Sequence, residues 1–554
     1  MRHPFLPLAL LLLGSVPLHA QQRNVDVLRY RFDVSVPDRG KSVRIASTVQ
    51  FTRGAGVETL RLDLLEPMKV TAATVGCGSA PASATFTHDG RVVSVPIGAP
   101  SAAVMAPPDP VRPAGLDTLC VTVRYEGEPR DGLIISTDSA GRYRAFGDNW
   151  PDRGRHWLAT VDHPSDKAFV EFVVEAPAAL RVIANGTPRA ATDLPGRPAR
   201  RRTTWATALP IPTYLMVIAA AHLTEHDLGP TACGLGAVER CVPQRVYTAP
   251  EQARYMPGNF AKADSIVTYF ARTIGPFPYE QLLHLQSSTR FGGMENAGAI
   301  FYADRLFRSP DGVGTSLIAH ETAHQWFGDA VTEAEWGHLW LSEGFATYFA
   351  ALYTQHAEGD SAFHAEMRKT RAEILAAKEV AERPVIDSAQ TVLLELLNTN
   401  SYQKGGWVLH MLRGQVGDTA FFRGVRNYYA SHVNRNTVTD HVQLAMERSS
   451  GQDLRWFFDQ WLRRPGFSEL KLSWKFDAAR GFVIVTAEQG SRFAPYRISL
   501  PVEITLADGT VKTMRIDIPA TGTSEVAVRE RLTAAPVGVR FDPDADVLGR
   551  IVTP

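Results

Sequence analysis

Residues 318–326 read IAHETAHQW and contain the pattern His-Glu-x-x-His, in a segment whose apolar spacing predicts a helix. Residues four apart lie on one face of a helix, so His320 and His324 can both reach a single metal ion. Glu321 then lies beside the ion rather than on it, where its carboxylate can accept a proton from water. The pattern predicts a metal site with an adjacent general base. Two histidines that meet by chance on a solvated helix face are the alternative.

A third candidate ligand, Glu343, follows nineteen residues after His324 in the segment WLSEGFATY, residues 340–348. This segment predicts the start of a second helix that is apolar and aromatic on all sides and carries one carboxylate. A buried carboxylate is costly unless it is paired or bound to a metal. Two histidines and a glutamate form a catalytic zinc site, which leaves a fourth position for water or substrate. A salt bridge is the alternative for Glu343.

A glycine-rich segment, FGGMENAG, occupies residues 291–298 upstream of the histidine motif. Two adjacent glycines allow the backbone to come close to a ligand, and Glu295 and Asn296 then offer polar groups at the same place. Considered alone, the segment is typical of a turn, which is the alternative.

Together these motifs resemble the gluzincin family of aminopeptidase N and leukotriene hydrolases. The first family motif is usually Gly-Ala-Met-Glu-Asn, and here Gly293 stands where alanine is common. Residues 162–168, DHPSDKA, are similar to the family pattern Asp-Glu-Pro-x-x-Lys-Ala in the β domain. Residues 457–462, FFDQWL, followed by Pro465 and Gly466, are similar to the end of its catalytic domain. The resemblance therefore extends over most of the chain.

The resemblance implies a catalytic role for several matching residues. One zinc ion per chain would be held by His320, His324 and Glu343, and Glu321 would be the general base. Tyr402, in the segment SYQKG, matches the family tyrosine whose hydroxyl stabilises the tetrahedral oxyanion. From the residues alone, Tyr402 would be an ordinary aromatic residue at the start of a helix.

Further matches imply how the substrate is bound. Glu295 would hold the free α-amino group of a peptide, which restricts cleavage to the N-terminus. Gly292, Gly293 and Met294 would line the peptide backbone, and Asn296 completes the predicted substrate-binding set. The implied protein is a zinc aminopeptidase that acts on peptides with a free N-terminus.

One departure from the family concerns the amine anchor. In many members a Gln or Glu from the β domain helps hold the amine, but the corresponding residues 147–151 read GDNWP, so the second anchor is altered or absent. A zinc endopeptidase on the same scaffold is therefore an alternative. A non-catalytic peptide-binding protein is another, although the retained ligands and Glu321 argue against it. Nothing in the sequence favours epoxide hydrolysis, which a relative performs.

The chain has 554 residues, too many for one hydrophobic core, so about three domains are expected. Residues 21–228 show short alternating runs broken by Gly, Pro and Asp, which predict an all-β domain. Helical spacing dominates residues 229–465, which the resemblance makes a thermolysin-like catalytic domain. Residues 466–554 alternate again and predict a small β-sandwich. The predicted fold class is multidomain α+β.

Two stretches of the middle domain are predicted as long helices. Residues 251–272 have helical apolar spacing and stop before Gly275 and Pro276. Residues 439–463 show the same spacing and are followed by Pro465 and Gly466.

The N-terminus predicts export. Arg2 and His3 precede an apolar run over residues 5–13, and a less apolar stretch ends in Ala20, which is the layout of a secretory signal peptide over residues 1–20. A buried N-terminal helix is the alternative. The run is too short to anchor the chain in a bilayer, and no later segment is long and apolar enough for a transmembrane anchor. A periplasmic or extracellular protein is expected.

Charge and cysteine content agree with such a protein. Fifty-eight basic residues balance fifty-eight acidic ones, so neither nucleic acid nor an anionic membrane is expected as a partner. Four cysteines in an exported chain suggest two disulfides. Proximity favours pairing Cys233 with Cys241 and Cys77 with Cys120, whereas four free thiols are the alternative. None of the four has the spacing of a zinc site.

Overall fold

The computed structural model describes residues 24–99, 117–138, 140–234 and 241–553. The predicted signal peptide, residues 1–20, lies outside these ranges. Within them a β-rich N-terminal region precedes a helical region, and a second, smaller β region ends the chain. The predicted multidomain α+β class is confirmed.

The N-terminal region consists of strands and short turns. Its strands are β1 (Val25–Ser35), β2 (Val43–Arg53), β3 (Thr59–Asp63), β4 (Lys69–Val75), β5 (Ala82–Ala84), β6 (Thr87–His88), β7 (Val92–Pro96), β8 (Asp117–Gly127), β9 (Gly132–Thr137), β10 (Tyr143–Asp148), β11 (Lys167–Pro177), β12 (Arg181–Ala184), β13 (Thr187–Leu194), β14 (Arg200–Ala206), β15 (Ile211–Pro212) and β16 (Ile218–Ala221). The largest sheet has the order β13-β14-β11-β1-β2-β8-β4-β5, with β15 beside β11. Two smaller sheets have the orders β12-β16-β10-β9 and β3-β7-β6.

Apolar and polar residues alternate along these strands because one face of the sheet packs against the core and the other is exposed. In β1, the side chains of Tyr30, Phe32 and Val34 are buried, while Arg29 before them and Arg31 between the first two are exposed. Successive side chains of a strand point to opposite faces, so apolar residues at every second position place one face of the sheet against the core.

The middle region packs helices around a mixed sheet. Its strands are β17 (Thr224–Thr231), β18 (Val242–Thr248), β19 (Leu282–Ser287), β20 (Gly293–Met294), β21 (Ala299–Ala303), β22 (Val331–Glu333) and β23 (Arg435–Thr437). Its helices are α1 (Met256–Asn259), α2 (Ala263–Thr273), α3 (Thr315–His324), α4 (Trp340–Glu358), α5 (Asp360–Ala376), α6 (Lys378–Glu382), α7 (Gly405–Val416), α8 (Asp418–His432), α9 (Thr439–Ser450) and α10 (Arg455–Leu462). The main sheet has the order β17-β18-β19-β21-β20, which makes β20 an edge strand.

Both long helices predicted in this region are interrupted. Residues 251–272 form a 3-10 segment, Pro250–Tyr255, followed by α1 and α2. Pro257 lacks the N–H that a continuing helix needs, so α1 starts anew around it. Residues 439–463 divide into α9 and α10 because Gly451 adopts a left-handed conformation with φ of 71° and terminates α9.

The segment that resembles Asp-Glu-Pro-x-x-Lys-Ala joins the β region to the middle region. Asp162 accepts a hydrogen bond from Thr213 at 2.8 Å and is thereby fixed within the β region. The ammonium of Lys167 donates to the main-chain carbonyls of Asp329 (2.8 Å) and Ala330 (2.9 Å), in the turn after α3. This segment therefore holds the end of the histidine helix against the β region.

The last region contains two small sheets. Its strands are β24 (Ser468–Asp477), β25 (Phe482–Gln489), β26 (Ile498–Thr505), β27 (Val511–Ile518), β28 (Thr523–Ala527), β29 (Gly538–Phe541) and β30 (Gly549–Val552). They form sheets of order β28-β25-β24-β30 and β27-β26-β29. The three domain boundaries remain predictions, and β17 crosses the one placed between residues 228 and 229. Across the described ranges, no helix combines the length and apolar character needed to cross a bilayer.

Both predicted disulfides are present. Cys77 pairs with Cys120, 43 residues apart, and Cys233 pairs with Cys241, eight residues apart. The alternative of four free thiols is therefore wrong.

We expect the longer disulfide loop to contribute more to stability. Loop-closure entropy predicts a loss of about 4 kcal/mol when Cys77 and Cys120 are both changed to Ser, but only about 2.5 kcal/mol for Cys233 and Cys241. Thermal midpoints of the two double variants, measured calorimetrically at one scan rate, test the order. An equal or larger decrease for the Cys233/Cys241 variant would contradict it.

Candidate active site

Helices α3 and α4 bring the three predicted metal ligands together. His320 and His324 lie one turn apart on α3, and Glu343 lies in the first turn of α4. The two Nε2 atoms are 3.1 Å apart. Oε2 of Glu343 lies 3.2 Å from Nε2 of His320 and 3.3 Å from Nε2 of His324.

This cluster fits a single zinc ion. Donor atoms bound tetrahedrally at about 2.0–2.1 Å from zinc stand about 3.3 Å from one another, which is the spacing found here. Two imidazole nitrogens and one carboxylate oxygen are also the donors of catalytic rather than structural zinc sites. Geometry and donor chemistry therefore agree.

Main-chain and hydroxyl groups orient the second histidine. Nδ1 of His324 lies 3.2 Å from the carbonyl oxygen of Phe327 and 3.0 Å from Oγ of Ser342. A carbonyl can only accept, so Nδ1 carries a proton and Nε2 is the nitrogen left for a metal. The turn passes through Gly328, whose φ is 116°; a Cβ there would overlap Oγ of Ser342 and lie 3.2 Å from Nδ1 of His324.

The buried carboxyl groups of the site give it an affinity for positive charge. Burial raises the pKa of Glu321 well above its ordinary value, and burial likewise raises the pKa of Glu295 to about 7. Burial also acts to raise the pKa of Glu343, but His324 and His320 lower it to about 2. Glu343 is therefore ionised, whereas at Glu295 and Glu321 burial outweighs the effect of the nearby His324. A metal ion or an ammonium group would stabilise their charged forms further.

Tyr402 reaches the cluster from a π-helical turn, Asn400–Lys404, that precedes α7. Its ring stacks on that of His320, with centroids 5.9 Å apart. The turn can come this close because α4 and α7 meet at glycines: a Cβ on Gly344 would lie 2.9 Å from the backbone of Gly405. Burial, with the charge of Glu343, raises the pKa of Tyr402 well above its ordinary value. The hydroxyl therefore keeps its proton and can donate it in a hydrogen bond.

The glycine-rich segment forms the opposite side of the site. Gly293 and Met294 constitute β20, the edge strand that pairs with β21. A Cβ on Gly293 would overlap the carboxylate of Glu321, so the glycine that replaces the usual alanine leaves room for the predicted base. The histidine motif also holds this segment, because Gln325 donates from Nε2 to the carbonyl of Glu295 and accepts from the N–H of Gly298, both at 2.8 Å.

Gln325 is a residue whose contribution the sequence analysis missed. It directly follows the second histidine, at the end of a helix, and is completely buried. The sequence gives little sign of this contribution, because the hydrogen-bond partners of Gln325 lie 27 and 30 residues away along the chain.

These groups line a common cavity of about 440 Å³. Every predicted ligand, catalytic residue and substrate-binding residue except Asn296 lines it. The further lining residues are Trp150, Phe291, Ser316, Leu317 and Leu397.

Asn296 and the polar residues 148 and 149 of the β region do not line the cavity. Asn296 is completely buried, and among the described residues its side-chain amide has no hydrogen-bond partner. The amide of Asn149 donates to the carbonyl of Met216 at 2.6 Å and accepts from Nε1 of Trp157 at 2.8 Å. Asp148 accepts from Arg153 at 2.9 Å. The polar side chains of residues 148 and 149 are thus engaged away from the cavity.

The fold and the site resemble those of gluzincin metallopeptidases. Residues 261–461 match the peptidase family M1 domain. The resemblance inferred from the motifs is confirmed.

Known proteins similar to the chain cover different parts of it. Aminopeptidase N of Streptomyces lividans is 32% identical over 362 residues, which are 62% of this chain and 40% of that protein. The crystal structure of a mutant M1 zinc metallopeptidase from Deinococcus radiodurans superposes with a TM-score of 0.67 at 25% identity, covering 80% of this chain and 96% of that one. Legionella pneumophila aminopeptidase A, crystallised with aspartic acid, shares the fold with a TM-score of 0.80 at 16% identity, covering 96% of this chain and 60% of that one. The chain spans between 22% and 40% of the length of curated relatives such as the Streptomyces lividans protein.

We expect Gly328→Ala to weaken zinc binding about 10- to 100-fold, because the added Cβ displaces Ser342 and disturbs His324. Zinc affinity is measured by competition with a chromogenic chelator. Gly359→Ala is the matched control, since Gly359 also has a positive φ, 90°, but no atom lies within 4 Å of its added Cβ. Equal zinc affinity in both variants would show that the turn does not position His324.

Proposed function

We propose that the chain is an exported zinc aminopeptidase that removes N-terminal residues from peptides. One observation carries the proposal: the carboxyl group of Glu295 faces the same cavity as the cluster of His320, His324 and Glu343. A carboxylate that holds the α-ammonium of a peptide beside a metal places the first peptide bond, rather than an internal one, at the reacting centre.

The ligands His320, His324 and Glu343 would hold one zinc ion per chain. Bound there, zinc supplies Lewis acidity that polarises a carbonyl group and acidifies water. Glu321 accepts the proton of the attacking water on its carboxylate and passes it to the nitrogen of the departing amine. The hydroxyl of Tyr402 donates a hydrogen bond to the developing oxyanion, a contribution of about 3 kcal/mol if it resembles other such donors.

Substrate binding uses both side chains and main chain. A peptide ammonium next to Glu295 lowers the pKa of this carboxyl from about 7, so that an ion pair forms on binding. Gly293 and Met294 form an edge strand that Gly292 precedes, and the backbone of the peptide can pair along it. The hydrogen bonds of Gln325 to the main chain of Glu295 and Gly298 hold this segment against the end of α3.

A zinc endopeptidase on the same scaffold is the second candidate. It is favoured by the engagement of Asp148 and Asn149 away from the cavity, which leaves Glu295 as the single predicted anchor for an amine. A non-catalytic peptide-binding protein would not need the buried general base that Glu321 offers. Acetylation of the substrate N-terminus separates the first two candidates, because it removes the charge that Glu295 binds.

Export is proposed on two grounds. Residues 1–20 have the pattern of a signal peptide, and two disulfides are typical of the periplasm or the extracellular space. Peptides with a free N-terminus are the proposed substrates, and the balanced charge makes nucleic acid an unsuitable partner.

Glu321→Gln should keep zinc but lower kcat by about 100- to 10,000-fold, because the amide cannot accept a proton. Metal content and hydrolysis of leucine p-nitroanilide are measured on the same preparation. Glu335→Gln, which changes an exposed glutamate between α3 and α4, is the matched control. Full turnover by the Glu321 variant would contradict the role of Glu321 as the general base.

Glu295→Ala should lower kcat/KM for free-amine substrates by about 10- to 100-fold, the loss of a buried hydrogen-bonded charge. Each aminoacyl p-nitroanilide is assayed beside its N-acetylated copy, before and after chelation. We expect the wild-type protein to cleave the free-amine substrates alone. Chelator-sensitive cleavage of acetylated copies would establish the endopeptidase instead, and unchanged free-amine rates in the variant would remove Glu295 from its role.

A further inference from the structure

An aromatic wall occupies the side of the cavity that the β region contributes. Trp150 is almost completely buried, and its ring meets that of Phe291 edge to face, with centroids 6.1 Å apart. On another side it packs edge to face against Trp336 at 5.6 Å. Trp150 and Phe291 line the cavity, whereas Trp336 supports the wall from behind. The wall is therefore held in place by packing on two sides.

This wall stands next to the proposed amine site. Phe291 begins the same segment that carries Glu295, four residues further on, and Met294 lines the cavity between them. The Arg290 N–H also points to Asp148 at 3.5 Å, which ties the two segments together. A first residue whose ammonium is held by Glu295 therefore has its side chain within reach of Trp150.

The cations near the wall are already neutralised. Arg153 makes ion pairs with Asp148 at 2.9 Å and Asp131 at 2.8 Å. Arg290 pairs with Asp131 at 2.6 Å and lies 3.7 Å from Asp148. Two guanidinium groups thus face two carboxylates, and none of the described residues that line the cavity is a lysine or an arginine.

The remaining lining disfavours an acidic side chain. Besides the aromatic wall, Met294, Leu317 and Leu397 contribute apolar side chains. A carboxylate entering this space would lose its hydration without gaining a cation, and it would approach the carboxyl groups of Glu295 and Glu343. An aliphatic or aromatic side chain would instead bury its surface against the wall.

We propose that Trp150, together with Phe291, forms the subsite for the side chain of the first substrate residue and selects an apolar residue over an acidic one. The inference rests on the proposed aminopeptidase function, because that function directs the first residue to this side of the cavity. Trp150 thereby acts as a specificity-determining residue.

The test compares kcat/KM for alanine, leucine, phenylalanine and glutamate p-nitroanilides in the zinc-loaded protein. The wild-type protein should favour leucine over glutamate by about 100-fold or more. Trp150→Ala should lower the leucine-to-alanine ratio of kcat/KM by about 10-fold or more, and Trp150→Phe should restore most of it. Trp474→Ala, which truncates an exposed tryptophan in β24, is the control and should leave both rates and ratios unchanged.

Two kinetic results would overturn the inference. One is glutamate hydrolysis as efficient as that of leucine. The other is an equal loss for every substrate in Trp150→Ala, which would indicate a purely structural role.

A binding measurement tests the proposed subsite independently of the proposed catalytic function. Calorimetric titration of the zinc-loaded protein with leucine hydroxamate and with glutamate hydroxamate needs no turnover. Tighter binding of the leucine compound, lost in Trp150→Ala, supports the apolar subsite even if no amide is cleaved. Equal binding of both compounds refutes the subsite even if aminopeptidase activity is present.

Discussion

The close contact of three donor atoms, two on buried side chains and one on the partly buried His320, is the constraint on which the rest of the structure depends. Nε2 of His320, Nε2 of His324 and Oε2 of Glu343 lie 3.1–3.3 Å apart inside the protein. Such a cluster persists only if hydrogen bonds and helix packing hold each group, since isolated buried charges are costly. The glycine contact between α4 and α7, the turn at Gly328 and the hydrogen bonds of Gln325 all serve this one arrangement. They also determine what can approach the cluster.

The β region is part of this site rather than an independent attachment. Lys167 reaches across to the carbonyls that follow α3, and Tyr214 donates to the carbonyl of Gly328 at 3.0 Å. Both contacts fall on the turn that orients the second histidine. The same region supplies Trp150 to the cavity wall. The orientation of His324 and the position of Trp150 in the cavity wall therefore both depend on the junction between the two regions.

Prediction from the sequence was most successful where the chemistry is local. The His-Glu-x-x-His spacing needs only one helix to bring its residues together, and Glu343 could be added because it is a carboxylate in a segment otherwise too apolar to expose it. Asn296 was predicted at the substrate but is completely buried and does not line the cavity, so its role stays a prediction. The direction of a side chain in a turn does not follow from residue type. The two long helices were wrong for a local reason: Pro257 starts a new helix and Gly451 ends one, although the apolar spacing continues across both residues.

The sequence by itself determined the order of β, helical and β regions, since this order depends on periodicity. It predicted a metal-ligand set and a base from spacing and residue chemistry, and proximity along the chain favoured the disulfide pairings that are present. Only the tertiary structure decided what surrounds that set. Gln325 and Lys167 find partners far along the chain, Asp148 is paired with an arginine, and Trp150 faces the cavity. The physical reason is that these contacts depend on the directions of side chains from separate elements, which are fixed only when sheets and helices pack.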